Sequence, residues 1–216
     1  MKIYDYINKN KKLLITAFAV GLAVTCIFSV KTYADRMCSK ISSSVIRFHV
    51  LANSDSEYDQ NLKLKVRDGI LEYFGDELSK IETRDEAEKF ILKNKGNIAE
   101  RARAVLAENG NYYSVRVTLG NEPYPVRYYN NAVLPAGTYK SLKIVIGEGE
   151  GHNWWCVMYP PLCLNGSAVE YRDEKELESV LGKDCTNVIM LSENSGRPTF
   201  KFRIIELFST SKVSKR

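Results

Sequence analysis

The sequence predicts an α+β fold: an N-terminal signal or transmembrane helix, then one domain of two long helices packed on a mostly antiparallel sheet. Three observations predict it. An uncharged run from Leu13 to Val30 follows a lysine-rich start. Two later segments carry apolar residues at helical spacing, each behind a capping signature. From Tyr112 onward the apolar period becomes two, the mark of half-buried strands.

The run from Leu13 to Val30, as a helix rising about 1.5 Å per residue, reaches roughly 27 Å, close to the hydrocarbon thickness of a bilayer. Lys9, Lys11 and Lys12 precede it. Cations on that flank stay in the cytosol, so the chain that follows is expected outside. Residues 1–34 therefore read as a signal peptide or a membrane anchor, and Thr32-Tyr33-Ala34 ends in a small residue that suits signal peptidase. Ala23-Val24-Thr25 before Cys26 is not a lipobox.

Residues 42–208 are expected to form one domain and residues 209–216 a polar basic tail. Val45, Ile46, Phe48, Val50 and Leu51 form a β-rich run broken at Ala52-Asn53. Ser54-Asp55-Ser56-Glu57 fits a capping box with Ser54 as the cap. Leu62, Val66, Ile70 and Phe74 then recur every fourth residue, with Lys63 outside the stripe and a stop expected near Gly75. Thr83-Arg84-Asp85-Glu86 is a second capping box, and its helix ends at Asn109-Gly110. Tyr113, Val115, Val117 and Leu119 alternate with polar residues as a strand. A strand pair follows over Leu142–Ile146 and Trp154–Tyr159, joined through Gly147, Gly149 and Gly151. A short helix over Glu174–Leu181 and a final strand over Thr199–Phe208 close the domain, although "FRIIELF" also suits a helix.

Net charge is +5, with the basic excess largely at the two ends. No folded stripe of cations interleaved with aromatics stands out, so nucleic acid is not an expected partner. Hydrophobic content of 44% and charged content of 26% suit a packed core, so disorder does not describe this chain.

Chemistry concentrates in "GHNWWCVMYPPLC", residues 151 to 163. Cys156 with His152 or His49 would suit nucleophilic catalysis by an exported cysteine hydrolase, and the aromatics would suit a cell-wall-binding module. Packing explains a tryptophan pair running into Pro160-Pro161 more simply. Cys156 and Cys163 are separated by six intervening residues, beyond the usual zinc spacing, so no metal is expected. "GEGEG" would repel phosphate through Glu148 and Glu150 and joins two strands instead of opening a helix. Nothing in the chain calls for a cofactor or a small-molecule substrate. Export permits disulfides among Cys38, Cys156, Cys163 and Cys185, and Cys156 with Cys163 is the candidate pair.

Two stretches, "IRFHVLANSDSEYDQNLKLKVRDGILEYF" and "LPAGTYKSLKIVIGEGEGHNWWCVMYPPLC", resemble the stage II sporulation protein R family, with similarity from about Ser42 to Phe208. The resemblance implies a developmental signal, not an enzyme. Such proteins are made in the forespore, cross its membrane and act in the intermembrane space. There they switch on a membrane-embedded aspartic protease, stage II sporulation protein GA, which processes the precursor of sigma-E in the mother cell. The catalytic aspartates would be the partner's. With no catalytic residues to carry over, the partner-binding candidates are Asn53, Asp55 and Asp59 at a strand-to-helix corner, and His152, Asn153, Trp154 and Trp155 at a loop and strand entry.

Overall fold

The computed structural model describes residues 7, 9–129, 132–160, 174–190 and 200–208. Helix α1 runs unbroken from Lys11 to Ser44. Strand β1 (Ile46–Leu51) leads into α2 (Glu57–Leu78) and α3 (Arg84–Glu108). The remainder comprises β2 (Val115–Tyr124), the short β3 (Arg127–Tyr128) and β4 (Val133–Leu134), β5 (Gly137–Ile146), β6 (Asn153–Tyr159), α4 (Glu174–Leu181), α5 (Lys183–Ile189) and α6 (Phe200–Phe208).

The main sheet has the order β2-β5-β1-β6. β2 with β5 and β1 with β6 are antiparallel, while β1 and β5 are parallel, so the sheet is mixed but mostly antiparallel. The parallel pair follows from the long return of chain through α2, α3 and β2 between the two strands; a parallel neighbour cannot be reached by a tight turn.

Period-two alternation splits the sheet into two faces. Ile46, Phe48, Val50, Leu142, Ile144, Cys156 and Met158 pack with Leu62, Val66, Ile70 and Phe74 of α2 and Ile91, Ile98, Ala102 and Val105 of α3. On the opposite face, Tyr124, Tyr139 and Val157 pack with Ala34 and Ile41 of α1, Leu177, Leu181, Cys185, Val188 and Ile205. The sheet is thus covered on both sides, and the second cover was not evident in the sequence. Its helices are short, and one of them is the tail of the apolar N-terminal helix.

Several local expectations shift. The cap of α2 is Ser56, whose Oγ accepts from Asp59 N at 3.2 Å, two residues after the expected Ser54. Ser54 is drawn away because its own hydroxyl donates to Asp59 Oδ2 at 2.6 Å. α2 runs through Gly75 to Leu78, since Phe74 and Leu78 are both buried in the first core. The capping box at Thr83 and Glu86 is present as read. The segment over Phe200–Phe208 is a helix, not a strand. Its docking along α1, with Ile205 fully buried, decides between two periods that so short an apolar run leaves open.

Candidate functional site

The seven partner-binding candidates converge only in part. Asn53 lies two residues past the end of β1 and ties the corner to the β5–β6 loop. Its Oδ1 accepts from Glu148 N at 3.1 Å, and its Nδ2 donates to Asp59 Oδ2 at 2.9 Å. The loop closes further where Glu150 N and Gly151 N donate to the Asn53 and Ala52 carbonyls, each at 3.1 Å. Glycine is required here for space: a Cβ on Gly151 would lie 2.2 Å from the Ser54 carbonyl oxygen. Gly147, at φ 57°, faces Asn53 Oδ1 just as closely.

Asp59 is buried at 4% exposure. Burial pushes its carboxyl up, but the hydrogen bonds from Ser54 and Asn53 prevail and hold it below the ordinary carboxylate value. It is an internal tie of the corner. Asp55 is exposed, accepts from His152 N at 2.6 Å and contacts His152 Nδ1 through the same oxygen. The His152 side-chain hydrogen bond, then the backbone one, lowers the Asp55 pKa. Lys63, expected outside the apolar stripe, is instead buried, and its Nζ donates to the His152 carbonyl at 2.9 Å. Asn53, Asp55, Asp59 and His152 therefore form one knot across residues distant in sequence.

The tryptophans diverge, as adjacent strand residues must. Trp154 meets Phe48 edge to face at 5.7 Å on the α2 side, with Arg67 4.8 Å from its ring centroid. Trp155 turns to the other face. It stacks on His49 at 4.9 Å, meets Tyr124 at 4.7 Å, and lies under Arg127 at 4.8 Å. A flat aromatic platform for sugar is not assembled from these two.

Trp155, Asn153, His152 and Asp55 do share one open cleft of about 350 Å³ with Arg127, Glu150 and Gly151. Arg127 was not singled out by sequence, and Glu150 only as a charge that would repel phosphate. Arg127 lies on a two-residue strand, and Glu150 sits in a stretch that reads as a flexible hairpin; neither carries a motif. The cleft presents a cation against an aromatic face, two carboxylates and an amide, an arrangement suited to a polar protein segment.

Below the cleft, Arg47 is fully buried, with Nη2 donating to Tyr129 Oη at 2.7 Å and its guanidinium 4.3 Å from the Tyr124 ring and 5.1 Å from that of Tyr139. Its Nε and Nη1 have no hydrogen-bond partner among the described residues. His49, beside it, is held neutral: burial, then Lys143 and Arg47, lower its pKa to about 3, with the Asn153 side chain opposing.

Cys156 is disulfide-bonded, buried and on the first-core face, opposite Phe48, whereas His49 points to the second face. His152 is exposed at the loop. The thiolate and imidazole of a cysteine hydrolase are therefore not brought together. Cys26, Cys38 and Cys185 are free; Cys163, the expected disulfide partner, lies outside the described residues.

Residues 42–168, which contain the whole corner and cleft, match the family described as stage II sporulation protein R. The chain belongs to the stage II sporulation protein R family. A relative so named, from Bacillus subtilis (strain 168), is 36% identical over 140 residues, covering 63% of this chain and 62% of its own length. This chain thus spans less than two thirds of that sporulation protein, and no solved structure matches it. The family match ends before α4, so the family region proper is the sheet with its two long helices.

Proposed function

We propose that this protein is an exported signal of endospore formation. On this reading it is made in the forespore, acts in the intermembrane space and activates the membrane-embedded protease stage II sporulation protein GA, which processes the sigma-E precursor in the mother cell. The observation that carries the reading is the family match over residues 42–168. The apolar, solvent-facing N-terminal part of α1 supports export or anchoring, since it is long enough to cross a bilayer.

Activation requires a difference in affinity. A ligand that binds the active and inactive protease equally shifts nothing, so the contact must favour the active arrangement. The cleft of Asp55, Arg127, Glu150, His152 and Trp155 is the surface assigned to that contact. Its rigidity supports this: the Asn53–Asp59 tie and the Lys63 bond to the loop hold the exposed groups in place before binding, which reduces the entropy lost on docking.

The test is reconstitution in a non-sporulating cell that co-expresses the protein, the protease and the sigma-E precursor, with cleavage followed by immunoblot. Cleavage should require both the protein and its residues 1–34. Glu150→Lys and His152→Ala should weaken it while export and thermal unfolding stay as in the parent. Parental cleavage by both variants would remove the cleft from the mechanism; no cleavage with a competent protease would remove the proposed activity.

A further inference from the structure

We propose that helix α6 (Phe200–Phe208) is a membrane-surface helix, which seats the folded domain on the lipid from which α1 emerges. The proposal rests on the reading of Leu13–Val30 as a lipid-buried segment, and it concerns a different part of the chain.

Four observations place α6 there. First, α6 packs along α1 at one level: Ile204 shares a shallow groove of about 260 Å³ with Ser29, Val30 and Tyr33. That level is the last turn of the apolar run, immediately before the charged Lys31 and Asp35. A helix docked there lies where the hydrocarbon ends and the headgroups begin. Second, Ile205 is fully buried in the second core, which fixes the rotation of α6 and decides what it shows outward.

Third, Ile204 and Leu207 are three residues apart, so they are surface neighbours on the helix. Leu207 is 79% exposed. The apolar surface of α1, on which Val24, Ile27, Phe28 and Tyr33 are all exposed, therefore continues across Ile204 onto Leu207. An isolated exposed leucine is ordinary, whereas one continuous with an apolar run of membrane-spanning length is covered by the same solvent as that run. Fourth, the charged groups are placed as an interfacial helix needs them. Arg203 is exposed and pairs with Glu206 at 3.2 Å, so the charge beside Leu207 is partly compensated and can stay at the headgroup level. Tyr33, at the same level on α1, is the residue type that bilayer interfaces favour.

The consequence is geometric. A domain held by α1 alone could swivel about one helix; contact through α6 as well sets which side of the domain faces the membrane.

Photo-crosslinking of the full chain in vesicles of phosphatidylethanolamine and phosphatidylglycerol tests this. A benzophenone amino acid is placed at position 207, at position 24 in the apolar run, or at position 112, where Tyr112 is 87% exposed beyond the end of α3. Lipid adducts are expected at 24 and 207, with the yield at 207 several-fold above that at 112. Adducts at 24 with 207 no better than 112 would overturn the role of α6 and leave the membrane reading standing. No lipid adduct at 24 would overturn both. Adducts from 207 to a second copy of the chain in place of lipid would also overturn it.

Discussion

Arg47 is a cation buried without a carboxylate among the described residues, stabilised by tyrosine faces and one side-chain hydrogen bond. The ring faces of Tyr124, Tyr139 and, at 5.6 Å, Tyr129 offset part of its desolvation, but directional satisfaction falls on the Tyr129 hydroxyl. Tyr129→Phe should therefore destabilise the domain by about 1–3 kcal/mol in chemical denaturation, the cost of leaving a buried donor unmet. A shift within error would show that the rings suffice. His49 gives a pH dependence of defined sign. Its pKa is about 3 in the folded protein against about 6.5 unfolded. Across that window the unfolded chain takes up a proton that the folded chain refuses. This contribution is fully present above about pH 6.5 and is lost progressively as pH falls toward 3, with a slope approaching about 1.4 kcal/mol per unit. His49→Phe, which preserves the stack on Trp155, should flatten stability measured between about pH 7 and about pH 5. An unchanged slope would assign the dependence to other groups.

At the scale of elements, α2 and α3 pack tightly at Gly69, where an added Cβ would lie 2.6 Å from Val105 Cγ2. Alanine is the better helix former by about 1 kcal/mol. The clash should exceed that gain, because Val105 is buried and branched, and overpacking typically costs about 1–3 kcal/mol. Gly69→Ala is expected to lower the unfolding midpoint, and Val105→Ala in the same chain should cost less than it does alone, a non-additivity that a double-mutant cycle reads directly. Additive effects would mean that the helices separate freely. The start of α3 offers a simpler case: Thr83→Ala removes the capping box and should cost about 1 kcal/mol.

For the whole molecule, the distribution of thiols is a direct check. The chain has five cysteines, of which Cys26, Cys38 and Cys185 are free and Cys156 is disulfide-bonded. Alkylation of the uncleaved, denatured and unreduced chain should add three labels, and prior reduction should raise this to five; five in both samples would exclude a disulfide. α1 makes the largest difference to the architecture. It carries the exposed apolar run at one end and contributes buried Ala34 and Ile41 to the second core at the other. Thr32-Tyr33-Ala34, the sequence suited to signal peptidase, lies inside this continuous helix. The folded domain thus holds in helical form a segment that peptidase would need extended.

What the sequence determined by itself is whatever depends on local periodicity and capping. The apolar run of α1, the stripe of α2, the Thr83 capping box, the Asn109-Gly110 stop and the alternation of β2 follow from residues within a few turns of one another. The polar corner was legible as a cluster of Asn53, Asp55 and Asp59 for the same reason, since a strand-to-helix turn concentrates capping groups. Only the tertiary structure decided the rest. β5 returns beside β1, bringing His152 to Asp55 across almost a hundred residues; Trp154 and Trp155 separate to opposite faces; and Lys63, Arg127 and Glu150 acquire their roles from neighbours that no spacing encodes. The state of Phe200–Phe208 belongs with these. Nine residues of mixed period form no stable element alone, and burial of Ile205 beside α1 is what makes them a helix.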